Sequence, residues 1–180
     1  MPESLNWEAE LIYRYILTSS QQNQATLLDL YVKLSKDNHR HSTPCLVNTA
    51  LCLTLMVCLQ KSIWEADRNG VDVCDSSQTI LPKLEEVLRL SLETSTLQEL
   101  DYYKETHFWI YFVAAQLEWK TSHNRPAQPV KLQPQKQNAW FSTMLAEQAR
   151  FLELWKWSDA QETLDLFVIN EFWEPHPRLW

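Results

Sequence analysis

Apolar residues return every three or four positions near the start of the chain, at Leu5, Ala9, Ile12, Tyr13 and Ile16. That spacing puts them on one face of a helix, with Asn6 available as a cap and Thr18-Ser19-Ser20 predicting its end. A second helix is expected over Leu27, Leu28, Tyr31, Val32 and Leu34, ahead of a polar loop at 37–42, Asp-Asn-His-Arg-His-Ser. Thr43 and Pro44 then predict a third start, with threonine at the cap and proline at the first helical position, where its missing N–H costs nothing. Val47, Ala50, Leu51, Leu55, Cys58 and Leu59 carry this helix toward Trp64. Its centre, 50–59, is apolar around most of its circumference, which predicts a place in the middle of a bundle.

Residues 66–79 are polar and hold the only glycine, Gly70, so they read as a mobile linker. The next helix is expected near Pro82, with Leu84, Val87, Leu88, Ser91 and Leu92 on one face. Thr96 and Glu99 have capping-box spacing and predict the start of a long helix reaching about Lys120 through the unbroken apolar run from Phe108 to Ala115. Residues 121–138 hold three of the eight prolines, too many for a helix, and predict a second mobile connection. Trp140, Phe141, Met144, Leu145, Gln148, Phe151, Leu152 and Trp155 keep helical spacing for four turns, and Ser158 with Gln161 predicts a last helix that turns Leu164, Phe167 and Val168 inward. No strand alternation competes. The expected fold is all-α, a single domain over 1–180 formed as a helical bundle of six or seven helices. Within it, the helix over 97–120 is expected to pack on that over 139–156, with Trp109, Phe112, Trp140 and Phe141 near their contact.

Composition narrows the function classes. With 45% apolar and 22% charged residues the chain can build a core. The net charge of −7 is spread evenly, eleven acids and eight bases in residues 1–90 against twelve and eight in 91–180, so no basic arm exists for direct nucleic-acid binding. Cys45, Cys52, Cys58 and Cys74 lack paired spacing and read as buried thiols of a reducing compartment. The amino terminus begins acidic, without a basic and then apolar leader, which predicts a protein that is not secreted, placed in the nucleus or cytoplasm. The eight apolar residues from Phe108 are too few to span a bilayer, so no membrane role is expected. A chain with one glycine has no phosphate-cradling loop, and no cofactor is expected.

The candidate chemistry is sparse. His39, His41 and Cys45 could suggest zinc, but no fourth ligand stands at normal spacing and the local sequence is explained as a helix start, so no metal is expected. Glu85 with Glu86, and Asp101 with Glu105, lack the inward-facing pattern that holds magnesium or a pair of iron ions in a bundle. What the chain has in quantity is rings: nine tryptophans, six tyrosines and six phenylalanines. They fill a core, or they line a cavity for an apolar ligand.

From Phe108 onward the order of features is more specific. The segment Trp109-Ile-Tyr-Phe-Val-Ala-Ala-Gln-Leu-Glu118 is followed by a linker, by Ala139-Trp140-Phe141 with Leu145, and by Trp157-Ser-Asp-Ala-Gln-Glu-Thr-Leu164 leading to Phe167 and Phe172-Trp173. This order resembles the carboxy-terminal part of the fungal-specific regulatory domain that follows the two-zinc, six-cysteine cluster in fungal transcription factors. The similarity spans roughly residues 104–174. Ala115 stands where that family often has glycine, and Ala139 where it often has arginine. Four dispersed cysteines do not form the family's DNA-binding cluster. The resemblance implies a noncatalytic regulatory or protein-interaction module of transcription, without its own DNA-binding element, acting through a protein partner or a small hydrophobic effector; a homodimer is compatible with it. The rings support a second expectation, a cofactor-independent cyclase or isomerase, or a binding protein, for a hydrophobic fungal secondary metabolite. There Trp109, Tyr111, Phe112, Trp140 and Phe141 would shape the pocket, and His107 or Glu118 would move a proton.

Overall fold

A computed structural model describes residues 4–66, 77–123 and 139–167. Among them the chain forms seven helices and no strand: α1 (Ser4–Lys36), α2 (Thr43–Ala66), α3 (Ser77–Thr94), α4 (Leu97–Tyr102), α5 (Lys104–His123), α6 (Trp140–Phe151) and α7 (Trp157–Leu164). The protein is all-α. It divides into two compact units, Met1–Thr94 and Ser95–Trp180.

In the first unit α2 packs against both α1 and α3. Leu46, Val47, Ala50, Leu53, Met56 and Val57 are buried along it. Thr49 and Thr54 are buried as well, and each donates its hydroxyl to the carbonyl four residues back, Cys45 and Ala50, at 2.8 Å. Their polar atoms therefore enter the core already satisfied. Leu84, Val87, Leu88 and Ser91 form the buried face of α3, at the spacing the sequence predicts.

Two boundaries here differ from expectation. The predicted break at 18–20 does not occur, and α1 runs unbroken through it. Thr18, Ser19 and Ser20 interrupt the apolar stripe but not the backbone, since no proline or glycine lies between residues 4 and 36. The helix ends instead at the 37–42 loop, where Asp37 accepts from the His39 N–H at 2.7 Å. The fourth predicted start, near Pro82, also moves: α3 begins at Ser77 and carries Pro82 in its second turn, with the ring exposed. Most of the predicted 66–79 linker, 67–76, lies outside the described residues, as does 124–138 of the second one. Residues 121–123, assigned to that linker by their sequence, belong to α5.

The second unit is organised around α5, which packs along α6 and touches α7. All eight residues from Phe108 to Ala115 are buried. Thr96 and Glu99 form the predicted capping box, with the Thr96 N–H donating to Glu99 at 2.9 Å and the Glu99 N–H to Thr96 at 3.3 Å. The helix they open is short, however. Tyr103 leaves helical geometry and its N–H is shared between Asp101 and Glu99, so the expected single helix over 97–120 becomes α4 and α5. The expected four turns from Trp140 shorten to three. Glu153 adopts a positive φ of 57°, the Leu154 N–H reaches back to Ala149 at 2.9 Å, and the Glu153 N–H to Arg150 at 3.1 Å. That pair of bonds is a Schellman stop, built around a glutamate where glycine is the usual residue. The start of α7 lies two residues before the predicted one: Lys156 is the cap, and its N–H donates to Asp159 at 3.2 Å.

Candidate functional site

The residues singled out by sequence lie on α5 and on the first turn of α6, and helical geometry divides them between two faces. His107 and Tyr111, four apart, share one side of α5, and their rings stack at 6.0 Å with 22° between planes. Tyr111 meets the Trp140 ring edge-on at 5.9 Å, and Trp140 in turn meets Phe141 at 4.9 Å. Trp109 and Phe112 face elsewhere. Trp109 stacks on Phe167 at 5.5 Å and Phe112 on Trp157 at 5.8 Å, both partners from α7 and the residues just after it. The expected convergence of Trp109, Phe112, Trp140 and Phe141 is thus two ring clusters on either side of one helix.

Glu118 closes the first cluster at its upper end. Ala139 occupies the cap position of α6 and has no side chain able to cap it. The carboxylate of Glu118 takes that role from the neighbouring helix, accepting from the Phe141 N–H at 3.4 Å, the Ser142 N–H at 3.0 Å and the Ser142 hydroxyl at 2.7 Å. A negative group facing the free N–H groups of a helix start is favoured by both hydrogen bonding and the helix dipole. At the opposite end the Gln148 amide donates to the Lys104 carbonyl at 2.9 Å, so α5 and α6 run antiparallel.

Between these two ties lie His107 and Tyr111, both almost fully buried. The His107 backbone N–H is satisfied by the Tyr103 carbonyl at 2.9 Å. Among the described residues its Nε2 and the Tyr111 hydroxyl have no hydrogen-bond partner. Burial holds the His107 imidazole well below its ordinary range, at about 4, so it is neutral at pH 7. Burial, with a smaller contribution from the Glu147 carboxylate, pushes the Tyr111 phenol upward and keeps it protonated. This face of α5 is therefore uncharged, aromatic and marked by two hydrogen-bonding atoms.

Other candidate positions hold little chemistry. Among the described residues no group of three or more His, Cys, Asp or Glu could hold a metal ion. Cys45 directs its Sγ to the Leu34 carbonyl at 3.6 Å, and burial pushes its thiol and that of Cys52 upward, away from the reactive thiolate. Arg40 donates to His41 at 3.1 Å. Among the described residues no helix is long and apolar enough to cross a membrane.

Ser142, Gln148, Trp157 and Phe167 complete these arrangements, and the sequence reading did not assign them a site role. Ser142 left one trace: a helix that begins Ala139-Trp140-Phe141 has no local cap, which implies a partner from outside. Comparison with family models, with curated proteins and with solved structures finds no match to the chain.

Proposed function

We propose that the chain is a noncatalytic regulatory or protein-interaction module of the kind found in fungal transcription factors, without a DNA-binding element of its own. The observation that carries this reading is the engagement of Glu118. The carboxylate best placed in the sequence to move a proton is committed to the start of α6 through three hydrogen bonds. An acid or base that must cycle its proton is poorly served by such a role, because each protonation would weaken a helix start. Phe151, Trp155 and Leu166 are large apolar residues left 58%, 71% and 72% exposed in the second unit, and they supply contacts of the type a protein partner uses. The acidic balance of the chain supports regulation through such a partner over direct reading of DNA.

The test joins the full 180-residue chain to an unrelated DNA-binding domain in a fungal reporter strain. Reporter output is expected to change, and the double substitution Trp155→Ala, Leu166→Ala is expected to reverse it with the helical circular dichroism intact. Output indifferent to the chain, or a sequence-selective complex of the isolated chain with DNA at nanomolar concentration, refutes the reading.

A second reading, a binding protein or cofactor-independent enzyme for a small hydrophobic molecule, is favoured by one observation: the unpartnered Nε2 of His107 and hydroxyl of Tyr111 inside an aromatic wall. In this form His107 is the proton-moving group, and Glu118 is structural.

A further inference from the structure

Two buried polar atoms without partners among the described residues, one turn apart on the same helix face, call for an explanation, because almost all such groups in folded proteins are satisfied. The buried hydroxyl of Ser142 reaches the Glu118 carboxylate, and those of Thr49 and Thr54 close on their own helix. Tyr111 cannot do this, since its hydroxyl stands at the far end of a rigid ring, and the imidazole of His107 likewise directs Nε2 away from its own backbone. Across the α5–α6 seam Tyr111 meets the ring of Trp140 edge-on, and among the described residues neither polar atom finds a hydrogen-bond partner there. We propose that His107 Nε2 and the Tyr111 hydroxyl form the polar end of a binding site between α5 and α6 for the hydroxyl of a small, uncharged, ring-bearing alcohol or phenol.

The chemical class follows from the wall. A guest hydroxyl both donates and accepts, so it matches a phenol and either tautomer of a neutral imidazole. The body of the guest meets the stacked His107 and Tyr111 rings and the ring of Trp140, which favours an aromatic or alicyclic skeleton. Charge is disfavoured on both signs. Neither polar group is ionised at pH 7, and the Glu147 carboxylate, which helps push the Tyr111 phenol upward, would repel an anion. The site is closed, with both side chains buried, so the guest enters when α5 and α6 part locally.

This inference rests on the second reading above, and its test separates the two. Phenol, toluene and benzoate are titrated into the full chain at millimolar concentration, with thermal unfolding and the imidazole nitrogen resonances of His107 as readouts. Phenol is expected to raise the unfolding temperature and shift Nε2, with toluene binding about ten- to a hundredfold more weakly and benzoate not at all, the size expected for two hydrogen bonds. Tyr111→Phe and His107→Phe are each expected to weaken phenol about tenfold and to leave toluene unchanged, which also shows that the variants are folded. Equal binding of phenol and toluene overturns the hydroxyl site but leaves an apolar pocket standing. No binding of either removes both. A crystal structure with one ordered water joining the two atoms, undisplaced by phenol, overturns the site as well.

Discussion

Glu118 and Ser142 are 24 residues apart in sequence, yet the glutamate carboxylate receives both the backbone N–H of the serine, at 3.0 Å, and its hydroxyl, at 2.7 Å. One side chain on α5 thus completes a turn on α6 that has no cap of its own. Glu118→Ala leaves half-buried N–H groups unsatisfied and is expected to cost about 2–3 kcal/mol in urea unfolding, with Ser142→Ala costing about 1 kcal/mol. The two losses should not add, since they remove the same contact. Full additivity in the double variant would refute the coupling.

Glu153 ends α6 in the left-handed region, with φ at 57°. A side chain there crowds the following carbonyl, at a cost of about 1 kcal/mol relative to glycine. Glu153→Gly is therefore expected to raise stability by about 0.5–1 kcal/mol, and Glu153→Val to lower it. The order of the three midpoints in chemical denaturation checks this.

His107 makes stability depend on pH. Its imidazole takes a proton near 6.5 in an ordinary setting but only at about 4 in the fold. Between those values the unfolded chain binds more protons than the folded one, so stability rises with pH across the window. The contribution is complete above about pH 6.5 and falls by about 3 kcal/mol as pH drops to 4. His107→Phe is expected to flatten that slope, measured as unfolding free energy at pH 4.5, 5.5 and 7.

Phe112 is buried on the side of α5 that faces α7, stacked on Trp157. Aspartate at this position would lose its water without gaining a partner, a change expected to exceed about 4 kcal/mol and unfold the second unit. Loss of helical circular dichroism and of protection from proteolysis would record it, and a native-like Phe112→Asp variant would contradict the burial.

Much of this arrangement could be read from the chain, and the parts that could not share a physical cause. Periodicity located the buried faces because burial repeats with the helix: Leu84, Val87 and Leu88 face inward as their spacing demands, and Phe108–Ala115 is buried around its whole circumference. The Thr96–Glu99 box was legible because both partners lie within four residues. What escaped were bonds made across large separations and breaks made without special residues. Nothing in the sequence of Glu118 shows that α6 lies beside it. Tyr103 and Glu153 interrupt helices without glycine or proline, while Thr18-Ser19-Ser20 fails to interrupt one. Sequence also placed Trp109 with Trp140, since rings two helices apart in space carry no mark of which neighbour they meet; the structure gives Trp109 to Phe167.

The capping box at Thr96 has a kinetic meaning that the more distant contacts of the same unit lack. Both of its reciprocal bonds close a loop of only four residues, on the sub-microsecond scale of helix initiation and ahead of any contact that must first bring remote segments together. The box stands at the very start of the Ser95–Trp180 unit. The frame from which that unit is counted is therefore set by local chemistry in the nascent chain, while the start of α6 waits for Glu118. Of the two helix starts, one is an early event and the other records that assembly has succeeded.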